Sequence, residues 1–189
     1  MTIKINYRNG ISKNKPKNLV FFVNEKFSIF GIKKFISKFE YSYTEDLLKT
    51  KDLKKKIIIS ELDSKKKLIL VSLQKKIKNS EAENLGAEFY NHLKNLKIND
   101  FEVNSDHIPT DLKNFVGYFL HGLKLKSYIF DKYKTKKNKT EFRFYIHGKN
   151  IPSKTEQTKF KSIEEGTFYA RDLVSEPGNV LHPDEYAKR

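Results

Sequence analysis

A chain of 189 residues holds one ordinary domain, or one domain and the start of another, which excludes a large multidomain enzyme. Hydrophobic residues make up 38% and charged residues 32%, with a mean hydropathy of -0.67, so the chain can bury a core and is too charged to be membrane-embedded. There is no cysteine, which excludes disulfides, thiolate metal sites and thiol nucleophiles together.

The formal net charge of +15 points to an anionic partner, but its make-up weakens that reading. Of 38 basic residues only Arg8, Arg143, Arg171 and Arg189 are arginines, and the remaining 34 are lysines. Specific phosphate and guanine readers rely on the bidentate arginine fork, whereas scattered lysine forms a diffuse coat. Lysine, asparagine and isoleucine are all plentiful, the bias of an AT-rich genome, so most of the charge reads as compositional background and nucleic-acid binding as weak. The amino terminus, Met1-Thr2-Ile3-Lys4-Ile5, has no apolar signal core. No run approaches the ~20 apolar residues of a membrane span, so a cytoplasmic protein without a membrane partner is expected.

In chain order, Ile3 and Ile5 alternate with polar residues and Leu19 to Val23 form a short apolar run, which predicts two strands. Residues 28–39 carry Ile29, Ile32, Phe35, Ile36 and Phe39, a ragged helical stripe. Lys56 to Ser60 and Leu68 to Leu73 flank a polar turn segment and predict a hairpin or two neighbouring strands. Ser80-Glu81-Ala82-Glu83 has the spacing of a capping box. Ala82, Leu85, Phe89, Leu93 and Leu96 follow as a buried stripe, with Gly86 permitting close approach to the sheet.

Phe101 to Asn104 predicts a strand. Pro109-Thr110 signals a helix carrying Leu112, Phe115, Val116, Phe119 and Leu123 inward. Glu141 to His147 alternates as a last strand before Gly148 and Pro152. A third helix is expected from Glu156 to about Glu176 on the stripe Phe160, Ile163, Thr167, Ala170 and Val174, stopped by Pro177-Gly178. Pro183, with Asp184 and Glu185 behind it, opens another helix. The lysine clusters at 54–56, 65–67 and 136–137 read as loops or strand edges. Alternating strand and helix signals give an α/β fold, a mixed sheet flanked by helices and followed by a connecting helix.

Motifs for chemistry are sparse. His92, His107, His121, His147 and His182 show no His-Glu-x-x-His spacing, and His121 reads as a hydrogen-bonded, partly buried imidazole. The acids after His182 are explained by a helix start. The glycines are isolated, so neither a nucleophile elbow nor a phosphate-cradling loop is present. No residue of the chain is therefore expected to be catalytic, cofactor-binding or metal-ligating.

Three stretches resemble one family. Glu165 to Pro183, with Ala170-Arg171-Asp172-Leu173-Val174-Ser175-Glu176-Pro177-Gly178-Asn179 at its centre, is similar to the segment that joins the two domains of leucyl (cytosol) aminopeptidases, with Ser175 where asparagine is more usual. Gly122 to Lys134 is similar to that family's Gly-Leu-x-Leu-x-Ser-Tyr-x-Phe-x-x-Tyr-Lys segment, and Gly86-Ala87-Glu88 fits more loosely. The resemblance implies a macro-like amino-terminal domain over residues 1–150, a connecting helix over 151–176 and the start of a catalytic domain over 177–189. It also implies a complete enzyme that removes amino-terminal residues from peptides with two divalent metals, zinc or manganese, and assembles as a homo-oligomer, a hexamer in the usual case. The family's catalytic and metal-binding residues belong to the second domain and match no position here, so this chain is expected to be inactive alone. Arg171, Asp172 and Glu176 are expected to pin the junction by local ion pairs.

Overall fold

A computed structural model describes residues 2–8, 18–64, 66–94, 96, 98–112, 114–135 and 140–188. Strands β1 (Thr2–Tyr7) and β2 (Asn18–Asn24) precede helix α1 (Lys38–Thr50), followed by β3 (Ile57–Glu61), β4 (Lys67–Leu73), α2 (Asn79–Leu93), β5 (Asp100–Asn104), α3 (Phe115–Lys126), β6 (Glu141–His147), α4 (Lys154–Ser175) and α5 (Pro183–Lys188). The six strands form one sheet in the order β1-β6-β5-β2-β4-β3. Every pairing is parallel except that of β3 with β4, which gives the expected mixed sheet flanked by helices.

Residue pattern decides which strands lie at the centre. In β2, Val20 and Phe22 join one core cluster while Leu19, Phe21 and Val23 join the other, so a continuous apolar run is buried on both faces. Strand β6 alternates instead: Phe142, Phe144 and Ile146 are buried against the α2 and α3 side, while Arg143 faces solvent. The second core cluster is built from β2, β3, β4, the segment before α1 and α1 itself, so among the described residues no helix covers the outer face of β1 and β6.

Helices α2 and α3 cross at glycine. A Cβ on Gly86 would lie 1.9 Å from the Phe119 carbonyl oxygen, and one on Gly122 would lie 1.9 Å from that of Glu83. The close approach at Gly86 is thus to α3, not to the sheet as its position in the stripe suggested.

Three other expectations are corrected. Residues 28–39 are not a helix: a 3-10 turn at Phe30–Ile32 leads into a strap, and α1 starts only after Ser37. There Ser37 Oγ accepts the Glu40 N–H at 3.2 Å while the Glu40 carboxylate accepts the Ser37 N–H at 2.7 Å, a reciprocal cap. The cap of helix α2 is Lys78, two residues before the expected Ser80 cap, with the Glu81 carboxylate accepting the Lys78 N–H at 2.7 Å. Pro109-Thr110 opens a 3-10 turn, Thr110–Leu112, and α3 proper begins at Phe115. Lys54 and Lys55 lie in a turn, Lys67 opens β4, and the cluster at 136–137 lies outside the described residues.

Candidate functional site

Two of the three stretches that carry the family resemblance, Gly122 to Lys134 and Glu165 to Pro183, meet in space where α4 runs along α3 beside the edge strand β1. Helix α4 supplies one wall. Its start is fixed by Ser153, whose Oγ accepts the Glu156 N–H at 3.3 Å while the Glu156 carboxylate accepts the Ser153 N–H at 2.9 Å. The 22 residues that follow contain no proline, and Glu176 ends the helix in an extended conformation before Pro177.

The face that α4 turns to the domain differs from the expected stripe. Phe160 packs its ring 5.1 Å from those of Tyr118 and His121, over Gly117, where a Cβ would come within 2.5 Å of the Phe160 ring. One turn on, the contact residue is Glu164, only 4% exposed. Phe168 then lies 5.4 Å from the Tyr128 ring, and Arg171 follows. Of the expected stripe, Ile163, Ala170 and Val174 are exposed, and Phe160 and Thr167 are half-buried.

Glu164 is the electrostatic centre of the contact. Its carboxylate lies 2.7 Å from Lys124 Nζ and 3.2 Å from His121 Nδ1. Two cationic or donor groups from α3 thus satisfy a buried acid that would otherwise be costly. Burial, reinforced by the Glu164 charge, pushes the Tyr7 phenol up to about 12. His121 is the hydrogen-bonded, buried imidazole expected of it.

Further along, the Arg171 guanidinium donates to the Leu125 carbonyl at 2.6 Å and sits 5.5 Å over the Tyr128 ring. The Tyr128 hydroxyl donates to Asp172 at 2.7 Å, and burial together with that hydrogen bond holds its phenol above the ordinary value. Lys132 and Tyr133 both donate to Glu176, whose side chain is almost wholly buried. Arg171, Asp172 and Glu176, expected to pin the junction locally, make bonds reaching back to residues 125–133. A cleft of about 590 Å³ lies between Ser127 to Lys132, the start of β1 and the end of α4.

This arrangement fastens a helix to the domain. Among the described residues no three His, Asp or Glu side chains stand where they could hold a metal ion. The histidines are dispersed. His147 Nε2 lies 3.3 Å from Glu102 Oε1 at the end of the sheet, where burial keeps its pKa below the usual value against the opposing charge of Asp106. His107 lies under Gly31, and His92 and His182 are exposed. The metals implied for the complete enzyme have no fitting donor set among the described residues. Glu164 was not singled out from the sequence, whereas Tyr128 and Tyr133 were read only as positions of the family-like segment Gly122 to Lys134. For Glu164 the available signal was a charge at helical spacing from Phe160, with Phe168 beyond it.

No protein-family model matches the chain. It is 40% identical over 79 residues to a "Probable cytosol aminopeptidase" of Sinorhizobium fredii, covering 38% of this chain and 16% of that protein. It is 36% identical over 106 residues to one of Clostridium perfringens, covering 52% of this chain and 22% of that protein. The chain thus matches well under two thirds of these relatives' length. In fold it is similar to a tomato leucine aminopeptidase mutant, with a TM-score of 0.72 and 15% identity over 99% of this chain and 41% of the other. The bottromycin maturation enzyme BotP, in complex with Mn, aligns with a TM-score of 0.62 and 14% identity over 92% of this chain and 35% of its own. The chain is thus similar in sequence, over part of its length, to cytosol aminopeptidases, and in fold to a leucine aminopeptidase.

Proposed function

We propose that the chain is the amino-terminal, non-catalytic part of a metal-dependent leucyl aminopeptidase, supporting assembly and access to an active site built elsewhere. Residues 1–150 form the macro-like domain, residues 151–176 the connecting helix, and residues 177–189 begin the catalytic domain. The observation that carries this reading is the two-sidedness of α4. One side is fastened by Glu164, Arg171 and Asp172, while the other leaves Ile163 44% and Val174 88% exposed. An apolar face with no cover in its own domain suits a helix lying between two domains.

In the complete protein, two zinc or manganese ions would supply the water activation that peptide hydrolysis needs, and the partners would be peptides and further copies of the subunit, six in the family's usual assembly. The relatives' name, cytosol aminopeptidase, supports a cytoplasmic location. No helix among the described residues is long and apolar enough to cross a membrane. The test is direct: the purified 189-residue chain, supplied with zinc, manganese or magnesium, should release no leucine from a leucyl anilide. Metal-dependent release that survives repurification would overturn the reading. A stand-alone basic module that binds nucleic acid non-specifically is the second reading, favoured by the net charge of +15.

A further inference from the structure

The strap between β2 and α1 presents aromatic rings that the fold does not use. Its anchors are Phe27, Ile29, Ile32 and Ile36, each no more than 8% exposed. Phe27 takes a positive φ of 50° to turn inward, and Gly31 lets the strap lie directly on the His107 ring, where a Cβ would come within 2.1 Å of Nε2. The mount is rigid. From it Phe30 projects 74% exposed, and Phe39, in the first turn of α1, projects 79% exposed.

Lys26, Lys33, Lys34 and Lys38 share this segment, all exposed, and the one acid among residues 24–39 is Glu25. Glu40, just beyond, is engaged by Lys66 at 2.6 Å and by the Ser37 N–H. The patch therefore combines protruding apolar rings with unbalanced positive charge. This is the composition that a surface of anionic phospholipid complements: rings enter the headgroup boundary while ammonium groups stay at the phosphates. A single-stranded nucleic acid would need open ring faces for base stacking. Lys33 Nζ already lies 5.4 Å over Phe30 and 4.7 Å over Tyr41, so a stacking base would have to displace it.

We propose that this strap docks the protein peripherally on an anionic phospholipid surface, with Phe30 and Phe39 inserted and Lys33, Lys34 and Lys38 at the headgroups. The proposal is independent of the aminopeptidase reading. The test is co-sedimentation of the 189-residue chain with vesicles of equal parts phosphatidylglycerol and phosphatidylcholine, against pure phosphatidylcholine, at 100 mM salt. Binding to the anionic vesicles alone is expected. Phe30→Ser with Phe39→Ser should weaken it roughly tenfold or more. Lys33→Gln, Lys34→Gln and Lys38→Gln together should weaken it on the order of 10²-fold, about fivefold per lysine. Removing three lysines from α4 instead, at Lys154, Lys159 and Lys161, should cost much less. Circular dichroism reports that each variant is folded, and the two single phenylalanine variants repeat the test with smaller surface changes. The proposal is overturned if the wild-type chain does not sediment with anionic vesicles, or if the phenylalanine variants bind as well as wild type. It is equally overturned if those variants lose binding to oligothymidylate while their vesicle binding is unchanged.

Discussion

At Gly86 and Gly122 the absence of a side chain sets the distance between two helices. A methyl group at either position meets a backbone carbonyl of the facing helix, which cannot rotate away as a side chain would. Gly86→Ala and Gly122→Ala are each expected to destabilise the fold by about 1–3 kcal/mol or more, the usual cost of overpacking. Gly166, in the middle of α4, has nothing within 4 Å of where its Cβ would stand. Gly166→Ala should therefore stabilise by about 0.5–1 kcal/mol, by helix propensity alone. Urea unfolding of the three variants reads both signs, and a destabilising Gly166→Ala would mean that this face of α4 is already covered. Tyr7 gives a pH signature. Its folded pKa of about 12 lies above the ordinary 10.0, so the folded state holds the phenolic proton more tightly than the unfolded chain. The contribution is complete below pH 10 and is lost as the pH climbs from 10 to 12. It amounts to about 1–2 kcal/mol once the ring's partial exposure is allowed for. Tyr7→Phe should accordingly lose less stability than wild type between pH 9 and pH 11.5, and equal losses would mean that the phenol is not held in this way.

Helix α4 depends on a buried acid, and that makes its attachment testable as an element. Glu164→Ala leaves His121 and the half-buried Lys124 without their shared partner, at an expected cost of about 2–3 kcal/mol. Trypsin should then cut at Lys159, Lys161 and Arg171 well before it reaches the sheet, whereas wild type should resist there. Uniform cleavage in both proteins would show that Glu164 does not hold the helix. The same geometry explains what the amino-acid pattern revealed. The strands were legible because their burial is periodic, as in β6, or continuous, as in β2. Helix α1 was not, because only Thr44 and Leu48 are buried along it, too few to make a stripe. Its one clear mark was the spacing of Ser37 and Glu40, outweighed by the apolar residues at 29, 32, 35 and 36. Ile29, Ile32 and Ile36 are buried, with Phe35 partly so, for a different reason, since they anchor an irregular strap rather than one helical face. The junction was legible as two segments resembling a known family but not as a contact. The bonds from Tyr128 to Asp172 and from Lys132 to Glu176 span 44 residues each, and no local period encodes such a pairing.

The whole molecule carries +15, and the disposition of its few arginines bears on what that charge can recognise. On the uncovered outer face of β1 and β6, Lys4 is paired with Glu141 at 2.8 Å and Arg143 with Asp100 at 2.7 Å. Arg8 stacks 3.8 Å over the Tyr145 ring, and Arg171 is committed to the Leu125 carbonyl. No row of free guanidinium forks is left among the described residues to read base edges in a groove. What remains is a lysine coat, and a coat binds duplex DNA through release of condensed counterions, which depends on salt and not on sequence. Binding should therefore be measurable at 50 mM salt and fall roughly 10²-fold or more by 200 mM, with random and defined duplexes competing equally at both concentrations. A specific reader would behave otherwise, keeping a preference of about 10³-fold or more for its site at physiological salt because base contacts survive screening. Competition binding at the two salt concentrations separates these outcomes. A salt-resistant preferred duplex would promote the nucleic-acid module above the aminopeptidase fragment, because the paired arginines would then have to exchange their present partners for bases.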